Sequence, residues 1–515
     1  MEKLPIGIQD FGELRRGGYV YVDKTELIHR MVTMGKPYFL SRPRRFGKSL
    51  LVSTLKALFE GKRELFEGLW IENRWDWQQT NPVLHFSFEA IDYDKRGLEE
   101  ALQLHLRMKA EAFNLRLERL GSKEQLAELI QKIAAKHGQV ALLIDEYDKP
   151  ITDYLNEENI SQAKANRDLL REFYGVLKSA DEHLRLIFIT GISKFAKVSI
   201  FSNLNNLSDL TLHRTYATLT GYTQSELEYY FEPHLYAAGQ ALELSTAVLL
   251  DKIREWYNGY SWDGRNKVYN PFGIISFLDQ QAFMNFWSAS GTPRLIVEQM
   301  RQQQLYAMEE VPIKSFIFEH FDLDHIALVP LLFQSGYLTV KSANLLTGEY
   351  VLHYPNKEVR ESMYAFLLQE LSPEPTRHNT GRTVHDLQQA FAQDNLEQVR
   401  DILDSVLADL PYETFDKASE GLFHGLVHIL FNYLGLYCKS EVHSARGRAD
   451  AVVQMPQAIY IFEFKIHQTA TEALQQIRER DYAQRFRSSG KRVLGIGVHF
   501  DGQERRIAGW EVEAL

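Results

Sequence analysis

The sequence has almost no cysteine: Cys438 is the only one among 515 residues. A single cysteine cannot close an intrachain disulfide, which excludes a disulfide-stabilised secreted scaffold. Cys438 lies in an apolar run, where a free cysteine is usually buried, so we expect a buried thiol. The lack of a disulfide framework predicts a reducing compartment, the cytoplasm.

From the sequence we also expect neither a leader nor a membrane-spanning segment. Residues 1–5 do not have the basic and apolar regions that make a signal peptide. Residues 421–438 carry no charged side chain, but they include His424, His428 and Asn432, which face lipid poorly. We therefore expect a buried helix there and no membrane partner.

A strong positive charge is missing as well. The formal net charge of −10 argues against a protein that coats nucleic acid through bulk charge. One local patch is basic, because residues 478–506 hold eight basic and four acidic side chains. This patch could contact nucleic acid or could be a solvated helix face, and the sequence leaves both open.

The chain, at 515 residues, is long enough for about three domains. In its first third, short apolar runs alternate with helical patterns, which predicts a parallel α/β sheet. A helix, strand, turn and strand over residues 326–353 indicate a small winged-helix-like unit. Residues 372–383 are the best linker candidate. The predicted strands are 38–40, 83–86, 140–144 and 184–190, and then 448–453, 458–465 and 493–500, with a helix over 470–486.

The first chemical motif is Gly47-Lys48-Ser49, which follows a predicted strand and opens an apolar helix, as a P-loop requires. Backbone N–H groups at a helix start favour phosphate, as does the helix dipole. Lys48 would reach the β- and γ-phosphates of a nucleotide, and Ser49 would bind Mg²⁺. The loop is degenerate, because Arg42 stands where the general pattern has its first glycine. A basic strand-to-helix turn is the alternative.

A second motif supports the first. The apolar run from Val140 to Ile144 ends in Asp145 and Glu146. Asp145 at a strand tip can complete the Mg²⁺ shell, and Glu146 can orient the attacking water. An exposed acidic turn is the alternative. Thr190, at the end of a later strand, is either a sensor of the γ-phosphate or a capping threonine.

Further charged residues lie close to these two motifs. Arg45 is a candidate contact to the nucleotide because it is one of three arginines that add positive charge beside the P-loop. An arginine finger cannot be assigned, since Arg44, Arg45 and Lys194 are all possible. Asp148 and Lys149 follow the acidic motif at once and could form a local ion pair.

A third motif lies on a hairpin near the C-terminus. If its turn centres between Pro456 and Gln457, Asp450 faces Glu463, and Lys465 shares their sheet face. Facing carboxylates repel each other unless a cation lies between them, and their oxygens suit Mg²⁺. Such a metal would polarise a scissile phosphate and activate water, with the lysine beside it. An exposed polar face with a salt bridge is the alternative.

Two positions outside the hairpin could complete this metal site. Glu420 begins a polar stripe that continues through His424 and His428, and it could be a further ligand or a base. Glu441 is its rival, and satisfied core histidines would explain the stripe without any metal. Gln476, on the helix after the second hairpin strand, could position substrate or water, or could simply be exposed.

Together these motifs resemble those of the bacterial AAA-ATPase-like proteins with a C-terminal PD-(D/E)XK nuclease domain. Arg42 in place of the first P-loop glycine agrees with that family. The stretches that carry the resemblance span almost the whole chain: 41–50, 143–148, 190–195, 257–260, 269–271, 447–450, 463–465 and 476–477. The resemblance implies ATP at Lys48, Ser49 and Asp145, and nuclease chemistry at Asp450, Glu463, Lys465 and Gln476.

The strand and helix patterns, together with the resemblance, predict a fold class and a domain plan. The fold is α/β, with a P-loop AAA-like ATPase domain, a helical lid and a winged-helix-like middle region, followed by an α/β PD-(D/E)XK restriction-endonuclease-like domain. The expected boundaries are 1–222 for the ATPase core, 223–300 for the lid, 301–375 for the winged-helix-like region and 376–515 for a helical lead-in and the nuclease domain.

The leading functional hypothesis is a protein that binds and hydrolyses ATP and cleaves nucleic acid with Mg²⁺ or Mn²⁺. DNA is favoured over RNA as the partner, a homo-oligomer is possible, and defence or mobile-element biology is the expected setting. The first alternative is a nucleotide-switched regulatory or nucleic-acid-binding protein without cleavage activity. A second is an ATPase-like protein that binds nucleotide without turning it over.

Overall fold

The computed structural model divides the chain into two compact units. The first comprises Met1–Ser290 and Glu309–Glu358, and the second comprises Gly291–Met308 and Val359–Leu515. In the part of the chain that is described, no helix has the length and apolar character to cross a bilayer. The structure describes residues 1–155, 158–193, 206–287, 310–319, 327–371, 380–408, 437–444, 447–501 and 506–515, and single positions at 200, 201, 204, 296, 299, 300, 303, 308 and 504.

Strands and helices are numbered in chain order among the described residues. The strands are β1 Pro37–Ser41, β2 Val83–Ser87, β3 Val140–Asp145, β4 Leu184–Gly191, β5 Ser208–Asp209, β6 Val311–Lys314, β7 Thr339–Asn344, β8 Glu349–His353, β9 Tyr437–Ser444, β10 Gly447–Gln454, β11 Ala458–Lys465, β12 Arg492–Asp501 and β13 Arg506–Ala514. The helices are α1 Phe11–Arg16, α2 Thr25–Met34, α3 Lys48–Phe59, α4 Tyr93–Arg96, α5 Leu98–Ala112, α6 Ser122–His137, α7 Lys149–Thr152, α8 Ile160–Gly175, α9 Gln224–Tyr230, α10 Glu232–Ala241, α11 Thr246–Tyr257, α12 Pro271–Gln280, α13 Leu328–Ser335, α14 Lys357–Leu371, α15 Thr380–Ala392, α16 Leu396–Ala408 and α17 Ala470–Glu479.

The first unit contains a parallel five-stranded sheet in the order β2-β3-β4-β1-β5. All six residues of β3 are buried, as expected for a strand covered on both faces. The four strands predicted for this region are confirmed, and each is one or two residues longer than expected. Strand β5 was not predicted, because its two residues are too few to show an apolar pattern.

This strand order decides which residues can meet. Parallel strands end at the same edge of a sheet, and the residues that follow them lie there together. Ser87 at the end of β2 pairs with Asp145 at the end of β3, and Ser41 at the end of β1 pairs with Gly191 at the end of β4. The two predicted nucleotide motifs therefore reach the same edge.

Helices α9 to α12 follow this sheet and confirm the helical pattern predicted from residue 223. Thr223 and Glu226 form a reciprocal capping box at the start of α9. The Asn270 side chain caps α12 by accepting the N–H groups of Phe272 and Gly273. The helices share an apolar core that includes Leu227, Phe231, Leu235, Leu249, Ile253, Ile274 and Phe277.

A small antiparallel sheet with the order β6-β8-β7 belongs to the same unit. Helix α13 and strands β7 and β8 confirm the pattern predicted over residues 326–353. Strand β6 was missed because Pro312 argues against a strand. That proline is tolerated because β6 lies at the edge of the sheet, where it pairs with β8 alone.

The second unit contains a mixed sheet in the order β13-β12-β11-β10-β9. Strands β10 and β11 form the predicted hairpin, with Ala451 opposite Phe462 and Val453 opposite Tyr460. This is the register expected from a turn between Pro456 and Gln457, and it is confirmed. Strands β11 and β12 are parallel, so α17 serves as the crossover between them.

Three features of the second unit differ from the prediction. The prediction contains neither β9 nor β13. Strand β13 was missed because it is an edge strand with charged and half-exposed positions. Helix α17 ends at Glu479 instead of residue 486, because Asp481 has a φ of 47° and a left-handed residue stops a helix. Residues 380–383, expected in a linker, begin helix α15.

Candidate functional site

The loop between β1 and α3 has the geometry of an anion site. Gly47 has a φ of 80°, in the left-handed region that glycine enters without strain, and it precedes the first helical residue. Lys48 and Ser49 form the first turn of α3, whose free N–H groups point toward the loop. The local context predicted for a P-loop is therefore present.

Lys48 is buried and closes this loop. Its Nζ atom donates hydrogen bonds to the carbonyl oxygens of Arg42, at 3.0 Å, and Pro43, at 2.9 Å. Burial lowers the pKa of Lys48, while the charges of Asp145 and Asp148 act in the opposite direction. The ammonium group is thus held by oxygen acceptors, which phosphate oxygens could replace.

Asp145 and Glu146 follow β3 and meet the loop. The Ser49 hydroxyl donates a hydrogen bond to Asp145, and burial raises the pKa of that carboxyl. Glu146 has a φ of 54°, a conformation that costs free energy and is common at functional sites. Burial, and then the charges of Asp145 and Glu89, raise the pKa of Glu146 to about 7. The structure therefore brings Lys48, Ser49 and both carboxylates of the second motif together.

Arg42 has a structural role in place of the missing glycine. Its side chain is fully buried, and its guanidinium donates to the carbonyl oxygens of Ser41, Thr211 and Tyr216. The guanidinium also lies 3.8 Å from the centre of the Trp262 ring. Burial lowers the pKa of Arg42 to about 9. The residue therefore ties the loop to the chain that follows β5.

Arg45, the predicted nucleotide contact, lines the same side of the loop as Lys48 and Ser49. Its φ of 66° is left-handed. The guanidinium lies 3.8 Å from the centre of the Phe272 ring in α12, and Nη1 donates to the carbonyl oxygen of Phe286 at 3.3 Å. The loop is therefore in contact with the helical region predicted to be a lid.

Thr190, Asp148 and Lys149 form contacts other than the predicted ones. The Thr190 hydroxyl donates to the carbonyl oxygen of Leu40 at 2.8 Å, so it joins β4 to β1, and its role as a sensor stays a prediction. The expected ion pair of Asp148 with Lys149 is not the one formed. Asp148 instead accepts the backbone N–H of Ser193 at 2.7 Å, and Lys149 pairs with Asp153 at 2.8 Å.

A cavity of about 610 Å³ opens beside the P-loop, within the usual size range of small-molecule sites. Its polar wall includes Arg45, Lys48, Ser49 and Glu146. The rest of the wall is apolar, so the cavity suits a ligand with a charged end and an apolar end. The apolar wall is formed by Pro5, Ile8, Val20, Val22, Leu219, Tyr222, Phe272 and Ile275.

In the second unit, the three residues predicted on the hairpin lie together. The Asp450 carboxylate accepts the backbone N–H of Phe464 at 2.8 Å, which holds it against β11. Lys465 Nζ lies 3.2 Å from Glu463 Oε1, and both side chains are buried. Their sheet face therefore carries two carboxylates and one ammonium group within an apolar setting.

Gln476 reaches the same group of side chains from α17. Its amide donates a hydrogen bond to the carboxylate of Glu463 and lies 3.4 Å from the Tyr482 hydroxyl. Helix α17 can come this close because Gly497 on β12 has no side chain. A Cβ atom there would lie 2.2 Å from the carbonyl oxygen of Ala470.

In the part of the chain that the structure describes, four of the eight basic side chains of the patch over residues 478–506 pair with nearby carboxylates. For these four, the pairs favour the interpretation as a solvated face over a phosphate contact. The ion pairs are Arg478 with Glu513, Arg487 with Asp481, Arg492 with Asp394, and Arg506 with Glu504.

The third ligand of the predicted metal site stays open. Within the described ranges, no group of three or more His, Cys, Asp or Glu side chains is placed to hold a metal. Glu441 lies in β9, but its side chain falls outside the described set. Other predicted residues lie wholly outside it: Lys194, Glu420, His424 and His428.

Some residues of these sites were not found from the sequence. Glu89 follows β2 and lines the cavity near Glu146, and its position after a strand was the signal available. Glu358 lies far along the chain from the P-loop, and its charge acts on Arg45. No local pattern could have connected those two residues.

Two family models match the chain. Residues 5–201 match the model described as a predicted AAA-ATPase, and residues 418–510 match the model of the PD-(D/E)XK nuclease superfamily. Along its full length the chain is also 35% identical to the "Uncharacterized protein in vnfD 5'region" of Azotobacter chroococcum mcd 1, over 527 residues that cover 100% of this chain and 99% of that protein. The chain belongs to the AAA-ATPase-like family with a C-terminal PD-(D/E)XK nuclease domain.

Family membership confirms the resemblance drawn from the motifs, and the α/β fold class with it. One solved structure, that of the Aeropyrum pernix ORC1 protein in complex with DNA, covers 68% of this chain and 95% of its own. Its sequence identity is 11% and its TM-score is 0.27, which is too weak to support a conclusion. The four domain boundaries stay predictions, because the two family models leave the middle of the chain unmatched.

Proposed function

We propose that the chain binds and hydrolyses ATP in its first unit and cleaves nucleic-acid phosphodiester bonds with a divalent metal in its second. The observation that carries the nuclease part is the meeting of Asp450, Glu463 and Lys465 on one hairpin face. DNA is the proposed substrate. Such an enzyme suits defence against foreign nucleic acid or the biology of mobile elements.

The residues of the first unit fit Mg²⁺ and ATP. Lys48 offers a buried ammonium to the phosphates, and the Ser49 hydroxyl and Asp145 carboxylate already contact each other. Bound Mg²⁺ would supply positive charge to the phosphates. The chain's own contribution is to orient: Glu146 would hold a water, and Arg45, which lines the same cavity as Lys48, would contact the phosphates. Thr190 as a sensor of the γ-phosphate belongs to the same proposal.

The residues of the second unit fit a hard divalent cation by their chemistry. Two carboxylates, Asp450 and Glu463, share a face, which would be repulsive without a cation. A bound Mg²⁺ or Mn²⁺ would supply Lewis acidity and an activated water. Lys465 would stabilise charge on the phosphate or position that water, and Gln476 would orient the Glu463 carboxylate. Glu420 is proposed as a further ligand, with Glu441 as its rival.

The proposal is tested on the purified full chain with panels of labelled DNA and RNA, with and without Mg²⁺, Mn²⁺ and ATP. We expect cleavage that needs the metal and falls at least about a hundredfold in Lys465→Ala, a size typical of a lost charged group in an active site. A Glu463→Ala/Lys465→Ala double variant that cleaves as well as the unaltered chain would contradict the proposal. Lys178→Ala is the control, because that lysine is exposed and lies in the first unit.

One observation favours a second candidate, a nucleotide-switched protein that binds nucleic acid without cutting it. The described residues contain only two carboxylates at the hairpin face, and the ammonium group of Lys465 already pairs with Glu463. This candidate predicts nucleic-acid binding that needs no divalent metal and no cleavage of any substrate. The same panel, read by a gel-shift assay beside the cleavage assay, separates the two.

A further inference from the structure

The peptide that joins Phe286 to Trp287 is hydrogen-bonded to side chains on two sides. From the P-loop side, Nη1 of Arg45 donates to the carbonyl oxygen of Phe286 at 3.3 Å. From the other side, Oε1 of Glu358 accepts the N–H of Phe286 at 2.6 Å and that of Trp287 at 2.8 Å. A short segment at the end of the helical region thus connects the P-loop to a carboxylate far along the chain.

Glu358 is an unusual residue to find at such a position. Its side chain is 2% exposed, and an isolated carboxylate is costly to bury. Burial raises the pKa of Glu358 to about 7, while the two backbone N–H groups and the Arg45 charge act in the opposite direction. Its charge also acts on the hydroxyls of Tyr257 and Tyr260. Arg45 and the N–H groups of Phe286 and Trp287 favour its charged form.

Glu358 also occupies a special place in the chain. It lies in the first turn of α14, Lys357–Leu371, and it is the last residue of the first compact unit. From Val359 onward the same helix belongs to the second unit, which carries the nuclease hairpin. A change in how Glu358 is held therefore acts on a helix that continues into that unit.

We propose that Arg45, the Phe286–Trp287 peptide and Glu358 form a latch that reports nucleotide occupancy of the P-loop to helix α14. This inference rests on the proposed ATP site. Arg45 lines the cavity beside Lys48, and its guanidinium would turn toward a bound triphosphate because a charged acceptor is stronger than a peptide carbonyl. The Phe286 carbonyl then loses its hydrogen bond from Arg45, and Glu358 loses the Arg45 charge, which opposes the effect of burial on its pKa. Glu358 is thus a positioning residue that acts through Arg45.

Hydrogen–deuterium exchange on the full chain tests the latch. Exchange is measured with and without Mg²⁺ and the non-hydrolysable analogue adenosine 5′-(β,γ-imido)triphosphate at saturation. We expect the analogue to slow exchange over residues 42–59 and to change exchange over residues 357–371. In Glu358→Gln the first effect stays and the second falls by at least half. Glu255→Gln is the matched control, because Glu255 is an exposed carboxylate that faces the first residue of the same helix, Lys357, at 3.8 Å.

The outcomes separate the latch from the ATP site. No protection of residues 42–59 in the unaltered chain would contradict the proposed ATP site itself. Protection there without any change over residues 357–371 would overturn the latch alone, as would a helix response that survives in Glu358→Gln. If Glu358→Gln does not fold, Arg45→Lys gives the same test, since its single ammonium group cannot reproduce the guanidinium contacts. A helix response of normal size in Arg45→Lys at saturation would overturn the latch.

Discussion

The guanidinium of Arg42 lies 3.8 Å from the centre of the Trp262 ring, and this contact explains how a P-loop can do without its first glycine. The same guanidinium satisfies the carbonyl oxygens of Ser41, Thr211 and Tyr216. A glycine would remove these three side-chain hydrogen bonds, and the Tyr216 carbonyl would keep the N–H of Leu219 as a donor. In this chain Arg42 therefore holds the loop to the residues that follow β5 and takes no part in the proposed phosphate contacts.

Restoring the glycine should consequently harm the protein. We expect Arg42→Gly to lower the free energy of unfolding by about 2–4 kcal/mol, the range for losing a buried charged network. Arg42→Lys should not rescue it, because one ammonium group cannot reach three carbonyls on a planar fork. Thermal melting measures both, with the exposed neighbour variant Arg44→Ala as control. A melting temperature unchanged in Arg42→Gly would contradict this role.

Lys48 should be needed for nucleotide binding and not for folding. Its ammonium group contacts only the loop's own carbonyls at Arg42 and Pro43 among the bonds the structure describes. Because a charged donor to phosphate contributes about 1.5–3 kcal/mol, Lys48→Ala should weaken ATP binding by at least about tenfold. Isothermal titration calorimetry with ATP and Mg²⁺ measures this. Lys56→Ala, an exposed lysine on the same helix, is the control, and equal affinities in the two variants would count against the site.

The Thr190 hydroxyl gives a way to decide between two interpretations. Because it donates to Leu40 in β1, Thr190→Val should cost about 1 kcal/mol of stability, the usual value of one hydrogen bond. If this hydrogen bond is the main role of Thr190, the rate of ATP hydrolysis by Thr190→Val at saturating substrate stays within a few-fold of that of the unaltered chain. A loss of hydrolysis of a hundredfold or more, without a loss of affinity, would instead support the sensor role. Phosphate release and thermal melting together distinguish the two.

Glu358 should make stability depend on pH. Burial raises its pKa to about 7 from an ordinary value of 4.5, so between these values the folded chain holds a proton that the unfolded chain has released. The stabilisation is complete below about pH 4.5 and is lost as the pH rises through 7. It is worth at most about 3 kcal/mol.

The substitution Glu358→Gln removes this dependence. The melting temperature of Glu358→Gln minus that of the unaltered chain should therefore rise between pH 5 and pH 8. Glu255→Gln, which alters an exposed carboxylate, should show a constant difference over the same range. A constant difference in Glu358→Gln as well would show that the pKa of Glu358 is not raised.

Much of the fold could be predicted where the pattern is local. The buried strand β3 is an almost continuous apolar run, and β10 and β11 are largely apolar segments joined by a short turn, so the hairpin register followed from the turn at Pro456. Strands β6 and β13 escaped prediction because each lies at a sheet edge with polar or proline positions. Strand β6 also pairs with a strand distant in sequence, β8, which no local pattern records.

The residues of the candidate sites were likewise predictable only where they lie in a local motif. Lys48, Ser49 and Asp145 lie in motifs with fixed spacing, and the structure brings them together as expected. The surroundings of Arg45 could not be predicted, because Phe286 and Glu358 come from remote parts of the chain. The third metal ligand also stays a prediction, since Glu420 lies outside the described residues.

Counting bound Mn²⁺ by electron paramagnetic resonance tests the central claim most directly. We expect the full chain without nucleotide to bind one Mn²⁺, and we expect Asp450→Asn and Glu463→Gln each to lose it while still melting cooperatively as folded proteins. Glu479→Gln, an exposed carboxylate on α17, should bind as the unaltered chain does. If Asp450→Asn and Glu463→Gln bind Mn²⁺ with unchanged stoichiometry and affinity, no metal is held between these two carboxylates and the nuclease proposal is wrong.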